Sequence, residues 1–302
     1  MAVAQTGIFA QGTRSHYHLE LDVDPGAEAT AVVDALRGLQ EPAVTAGGAN
    51  LVVGFGAALA RRLALPGGVP AALADFTAIE GIDAKTAPAT QHDLWVWIHG
   101  TGEDVALDIA RAVVGALAGV ASVAVDQPCF VFKDSRDLTG FVDGTANPPV
   151  GEAPEVATVP DGEPGAGGAF VLAQRWVHDL TAFESLAVAD QERVIGRTKA
   201  DSVELDDEAK PANAHIARVE IEGADGAEIE IYRRSTPFGT VGEHGLYFLA
   251  FSADPGRFTL MLERMFGRGD DGIRDRLTDF SRPVTGAFYF APSLETLNDL
   301  VG

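Results

Sequence analysis

The sequence predicts an α+β fold built from two ferredoxin-like (split βαβ) units, the second a duplicate of the first in element order. Three observations carry this expectation. The same succession of strand- and helix-patterned segments occurs twice. The copies are offset by about half the chain. A stretch rich in Pro and Gly, 148–168, lies between them and reads as a joint. The first domain is therefore expected over 1–148 and the second over 149–302.

In the first unit, His16–Val23 alternates and reads as a strand, and Ala27–Leu39 has helical apolar spacing. Asn50–Phe55 and Leu94–His99 are strands. Glu103–Leu117 is a helix ended by Gly119, and Ala121–Phe132 closes the unit. In the second unit, Ala169–His178 is a strand and Leu180–Thr198 is mostly helical. Glu228–Arg234 and Leu246–Phe251 are strands, Arg257–Phe266 is a helix, and Gly286–Ala291 is the last strand. The acidic run Asp201–Pro211 reads as a solvated loop.

Composition narrows the function. The 302 residues suffice for two domains with a sizeable core, and 46% hydrophobic with 22% charged residues is ordinary for a globular chain. Lys plus Arg is 22 and Asp plus Glu is 44, so the formal charge is −22. Such a surface repels nucleic-acid phosphates and anionic lipids, and an anionic substrate needs a local basic mouth. Cys129 is the single cysteine, which excludes an intrachain disulfide and a cysteine-based zinc or iron–sulfur site. No apolar run approaches the ~20 residues that span a bilayer. The N-terminus has no cationic stretch followed by an apolar core, so a cytoplasmic protein is expected.

Three places carry chemistry. Gly140-Phe141-Val142-Asp143-Gly144-Thr145-Ala146-Asn147-Pro148 sets a carboxylate between two glycines. Asp-Gly is an ordinary turn in which the carboxylate binds nearby N–H groups, but glycines also let backbone approach a bulky planar group. His215 follows a polar loop and opens an apolar, strand-like segment, from which an imidazole can project into a cavity. Arg233 and Arg234 alternate on a strand, so one faces in and one out, or both are solvated. His16 and His18 share one face of a strand. That pair suits a metal, though a surface strand is the simpler reading. One acid, one imidazole and one guanidinium together form a kit for splitting a peroxide at haem iron.

With these motifs the chain resembles the dye-decolorizing peroxidases, most closely the bacterial B-type subgroup, over nearly its whole length. The carrying segments are Gly7-Ile8-Phe9, Ser15-His16-Tyr17-His18-Leu19-Glu20, the Gly140–Pro148 stretch matching the family's GxxDG motif, Ile195-Gly196-Arg197-Thr198-Lys199, His215, Arg233-Arg234-Ser235-Thr236-Pro237-Phe238-Gly239 and Val284-Thr285-Gly286. The resemblance implies two ferredoxin-like domains enclosing one haem b. It implies a peroxidase that reduces hydrogen peroxide through an oxoferryl intermediate while oxidising dyes, phenolics or other one-electron donors. It makes His215 the proximal iron ligand, Asp143 the distal acid and Arg233 the distal arginine. Gly144 belongs to the haem-facing motif. Ser235, counted with the catalytic residues, stands where many members have Asn and others Ser, a departure that leaves the main chemistry intact and bears on the hydrogen bonding of distal water.

Arg197 becomes a propionate partner, and Phe248 and Leu260 apolar haem walls. A carboxylate is expected behind the proximal His, either Asp275 or Asp279. Trp176, Tyr232, Tyr247 and Tyr289 are available as electron relays, each more simply read as a core aromatic. Partners are hydrogen peroxide and a small-molecule or dye reductant, with no nucleic acid or membrane, and a homo-oligomer is implied. Some members carry a C-terminal tail that loads them into a protein nanocompartment. The sequence ends at Gly302 without one, so encapsulation is not expected. The competing readings are a haem-binding protein that releases iron from haem, a cofactor-free ferredoxin-like binding protein, and, ranked low for lack of a Gly-Phe-Val-Asp-Gly element, a chlorite-decomposing haem enzyme.

Overall fold

The computed structural model describes residues 2–39, 48–223 and 226–302. The first unit runs β1 (Ser15–Val23), α1 (Ala29–Leu36), β2 (Ala49–Phe55), α2 (Ala57–Arg62), the short hairpin β3 (Ile79–Glu80) and β4 (Thr86–Ala87), β5 (Leu94–Gly100), α3 (Glu103–Ala116) and β6 (Ala121–Phe130). A connection with one short helix, α4 (Ala153–Ala157), leads to the second. That unit runs β7 (Ala169–His178), α5 (Leu180–Glu184), α6 (Val188–Ile195), α7 (His215–Val219), β8 (Tyr232–Arg233), β9 (Thr236–Gly239), β10 (His244–Ser252), α8 (Gly256–Met265), β11 (Ser281–Pro283), β12 (Ala287–Ala291) and α9 (Leu294–Val301).

One ten-stranded sheet joins the two units, in the order β6-β1-β5-β2-β12-β7-β10-β8. Its first four strands and its last four follow the same pattern: fourth, first, third and second strand of each unit. This is the split βαβ arrangement twice over. The seam is the bridge of Phe55 on β2 with Phe290 on β12. β9 extends the edge of β10, and β11 pairs with the end of β7.

Strand alternation gives the sheet two different faces. On one, Trp95 and Trp97 of β5 pack with Tyr247, Leu249 and Phe251 of β10 and Tyr289 of β12, all buried. His16 and His18 lie here too, 3% and 0% exposed, with His18 stacked on Tyr247 at 3.9 Å between ring centroids. The surface-strand reading of His16 and His18 is thus corrected: the second unit covers the face of β1 that carries them. On the other face of β7 and β10, Leu172, Gln174, Trp176, His178, Leu246 and Phe248 point into a cavity roofed by α7 and α8. Among the described residues, no helix is long and apolar enough to cross a membrane.

Two expected elements differ. Glu228–Arg234 keeps strand pairing only at Tyr232–Arg233, because the preceding residues pair locally, Glu228 bridging to Glu222. His215 opens a helix, not a strand. Ala214 is extended, and His215–Val219 then makes one helical turn and a little more, with Ile216 and Arg218 buried.

Candidate active site

The cavity encloses about 1450 Å³ of space, its open mouth included. Most of its wall is apolar. On α8, Phe258, Met261, Leu262 and Met265 recur at i, i+3, i+4 and i+7, so one helix face lines it. Leu260 lies off that face and is 37% exposed, which corrects its expected place as a haem wall. Phe248 does line the cavity, as do Gly144 and Arg197.

His215, at the first position of α7, reaches the cavity with a fixed ring. Its Nδ1 lies 2.7 Å from Oδ2 of Asp275, whose side chain is fully buried. Asp275 is itself held, since Oδ1 accepts from the Leu277 N–H at 2.8 Å. Asp279 turns away and pairs with Arg274 at 2.9 Å and Lys85 at 3.6 Å. Of the two carboxylates the sequence left open, Asp275 is therefore the one behind His215. This leaves Nε2 as the ring nitrogen without a hydrogen bond among the described residues.

Asp143 and Arg233 share the cavity with His215. Oδ1 of Asp143 accepts from the Gly144 N–H at 2.7 Å, so the turn reading also holds, and Oδ2 is left for other work. Burial pushes the Asp143 carboxyl above the usual carboxylate range. The Arg233 guanidinium opposes that, the Asp137 charge adds to it, and the Gly144 N–H and His215 oppose it more weakly. Arg233 is locked through its backbone: Asn147 Nδ2 donates to the Arg233 carbonyl at 2.8 Å, and the Arg233 N–H donates to Asn147 Oδ1 at 2.9 Å. The guanidinium Nε is buried with no hydrogen-bond partner among the described residues. A buried, unsatisfied cationic donor beside a carboxylate is an arrangement that a polar ligand would complete.

Gly140 and Gly144 have positive φ, 90° and 77°, a backbone conformation that glycine adopts without strain. A Cβ at Gly140 would also meet Lys199 Cε at 2.6 Å.

A second, more polar cavity shares Asp143, Gly144 and Arg233 with the first. Ser235 lines this one, and its Oγ accepts from the Leu249 N–H at 3.2 Å. Arg234 lines it too; it points away from the first cavity, as alternation requires, but is half-buried rather than a free surface arginine. The far face is covered by the N-terminal segment, so Arg234 donates to the carbonyls of Ile8 (2.8 Å) and Ala10 (2.7 Å) and lies 5.1 Å from the Trp97 ring.

Arg197 lines the first cavity and pairs with Glu204 at 3.6 Å and Glu220 at 3.5 Å. Trp176, Tyr232, Tyr247 and Tyr289 are all buried, as core aromatics would be. Asn147, Asp137 and His178 also serve the site and were not singled out from sequence. The only signal was Asn147's place in the Gly-Thr-Ala-Asn-Pro turn.

An imidazole whose Nδ1 is held by a carboxylate, facing an apolar cavity, suits a metal in a flat organic ligand. The metal ligand of such sites typically donates its other ring N–H to a carboxylate. The predominantly apolar lining fits such a ligand. Comparison with known proteins gives the same picture. Residues 5–130 match the model of the N-terminal region of Dyp-type peroxidases, and residues 134–296 that of the C-terminal region. A dye-decolorizing peroxidase of Rhodococcus erythropolis is 42% identical over 297 residues, covering 95% of this chain and 86% of that protein. The encapsulated DyP-type peroxidase from Mycobacterium smegmatis has a similar structure, with TM-score 0.91, 37% identity and coverage of 99% of this chain and 98% of that one. A variant of DypB from Rhodococcus jostii RHA1 in complex with heme gives TM-score 0.90 at 35% identity, covering 99% and 100%. Fold, site and both halves of the sequence thus agree, and the chain belongs to the dye-decolorizing peroxidase family.

Proposed function

We propose that this haem peroxidase reduces hydrogen peroxide with His215 holding the haem iron and Asp143 and Arg233 acting on the peroxide, while dyes or other one-electron donors are oxidised. The single observation that carries the reading is the convergence of these three side chains on one apolar cavity, with His215 Nδ1 already tied to Asp275. Residues 1–148 would then supply the acid, and residues 149–302 the ligand and the guanidinium. Neutral His215 would bind iron through Nε2, and Phe248, Phe258, Met261 and Leu262 would pack against the ring. Arg197 would meet a propionate. Bound haem supplies the redox chemistry.

The protein's part is to place and move charge. Asp143 Oδ2 accepts the proton of the bound peroxide and returns it to the departing oxygen, directly or through one water. Its Oδ1 stays on the Gly144 N–H, so the carboxylate does not rotate away. Arg233 faces the negative charge that grows on the departing oxygen, and its Nε gains the partner it lacks. The polar second cavity offers a small oxidant a route that reaches Asp143 and Arg233 past Ser235. Bulky dyes would give up their electrons from outside the cavities. Cytoplasmic residence and self-association belong to the same proposal, and cell fractionation and light scattering test them.

The deciding experiment is the visible spectrum of the haem-loaded protein before and after one equivalent of peroxide. The haem band is expected to shift on addition and to be lost in His215→Ala. A haem band that peroxide leaves unmoved would redirect the reading toward haem-iron handling. A protein that takes up no haem would end it.

A further inference from the structure

We propose that Asp137 and His178 form a positioning pair that anchors the Asp143 loop and links the charge on Asp143 to the protonation of His178. The inference rests on the peroxidase reading above, since it concerns how Asp143 is governed.

The geometry begins at the end of β7. His178 is held on both sides: Nδ1 lies 2.8 Å from Ser281 Oγ on β11, and Nε2 lies 3.0 Å from Asp137 Oδ1. Asp137 closes the loop that carries Asp143. Its Oδ2 accepts from the Thr139 N–H (2.9 Å) and hydroxyl (2.5 Å). Its carbonyl accepts from the Gly140 N–H, and its own N–H donates to the Phe141 carbonyl, each at 2.9 Å. The Asp143 N–H then returns to the Ser135 carbonyl at 3.0 Å. The loop is thus pinned to the sheet through one imidazole, and the pair faces the same cavity as Asp143.

The partners allow the imidazole to change charge without losing a bond. Nε2 must carry a proton to face a carboxylate. Nδ1 faces a hydroxyl, which can donate to a neutral ring or accept from a cationic one. With His178 cationic, the pair is neutral. With His178 neutral, the pair places a full negative charge near Asp143. Burial alone would raise the Asp137 carboxyl, but the His178 charge and the hydrogen bonds from His178 and Thr139 outweigh it and hold Asp137 at about 2. Asp137 therefore stays ionised, and the net charge of the pair is set by whether the His178 ring carries one proton or two.

The other charged groups that face Asp143 or its loop behave differently. Arg233, from β8, keeps its charge throughout. Lys199, packed on Phe141, is occupied by Gln191 at 2.6 Å. Arg136 is held by Asp134 and the carbonyls of Gly140 and Lys199. His215, from α7, is committed through Nδ1 to Asp275.

The test is the pH profile of peroxide-dependent oxidation by the haem-loaded protein, together with an infrared titration of the Asp143 carboxyl, identified by its loss in Asp143→Asn. Asp137→Asn removes a negative charge and should move the acid limb and the infrared titration to lower pH. His178→Gln fixes the pair as negative and should move both to higher pH. Shifts of about one pH unit are expected, the ordinary spread that folded surroundings impose on a carboxyl. A merely structural tie predicts loss of rate in both variants without opposed shifts, and that result, or no shift in either, would overturn the proposal. In the wild type, the infrared band should change together with the His178 ring proton, followed separately by ring NMR, whether or not a variant folds; a band insensitive to that proton also overturns it. Failure of the wild type to react with peroxide would instead sink the peroxidase reading, and is visible separately.

Discussion

Replacing Asp275 should weaken haem binding and the fold in opposite orders for two different substitutions. The carboxylate makes two contacts, His215 Nδ1 at 2.7 Å and the Leu277 N–H at 2.8 Å, from a fully buried position. Removing a partner behind a metal-binding imidazole typically costs about 10–100-fold in affinity, or ~1.4–2.8 kcal/mol. Asp275→Asn keeps an oxygen for the Leu277 N–H, and asparagine caps a helical turn about as well as aspartate. Its amide N–H₂ then faces His215 Nδ1, which must accept, so the ring proton moves to Nε2. That is the nitrogen haem iron needs. Asp275→Ala leaves the ring free to choose its tautomer but strands the Leu277 N–H, at about 1–3 kcal/mol. Haem affinity is therefore expected to fall ~100-fold in Asp275→Asn and ~10-fold in Asp275→Ala. Urea unfolding of the haem-free proteins should show the alanine variant as the less stable. The assay is titration of haem followed by its visible band, in competition with a haem acceptor. Wild-type affinity in both variants would refute the role of Asp275, and tighter binding by the asparagine variant would refute the tautomer argument.

Arg233→Ala should slow peroxide cleavage more than Asp143→Ala, by ~10²–10³-fold, because water can carry a proton but not a fixed charge; stopped-flow rates in the reverse order would contradict this. Asp137 is held at about 2 against 3.8 when unfolded. A carboxyl lowered on folding contributes stability above the unfolded value and loses it as pH falls through the folded one. At ~1.4 kcal/mol per pH unit, Asp137→Asn should cost about 2 kcal/mol at pH 7 and almost nothing near pH 2, as read by urea unfolding across pH. Leu260→Lys should leave haem uptake unchanged and stability within ~0.5 kcal/mol, whereas Leu262→Ala, on the cavity face of the same helix, should cost ~2–5 kcal/mol; equal effects of the two in urea unfolding would show the helix face to be misassigned.

What the sequence made legible follows from the range of the interactions involved. β1, β5, β7 and α3 are long and strongly patterned, and they form where the spacing predicts, within a residue or so at each end. Glu228–Arg234 misled because a continuous apolar alternation records a covered surface, not a paired backbone. His215 was legible as a ligand but not as a helical residue, since five residues are too few to show helical periodicity. Leu260 failed for the opposite reason. The helix was right, but its inward face is set by β7 and β10, and an apolar residue beside that face looks the same in sequence. His16, His18 and Arg234 show the same limit: each sits on a strand face that is covered by the partner unit rather than by solvent.

The Asp143 loop shows why a motif can be plain while its working geometry stays hidden. Gly140, Asp143, Gly144 and Asn147 lie within eight residues, and their turn chemistry is local, so the stretch stands out at once. The ties that aim it are not local. Asn147 clamps the backbone of Arg233, 86 residues away, and Asp137 is held by His178, 41 residues away. Neither tie leaves a mark in the spacing of either segment. Both bind the connection after β6 to strands of the second unit, β8 and β7. The acid thus lies on the connection that follows β6 and the guanidinium on β8, and their relative position depends on those ties. The second unit therefore does more than enlarge the core: its strands β7 and β8 hold the connection that carries the acid, and its own residues supply the cation and the imidazole.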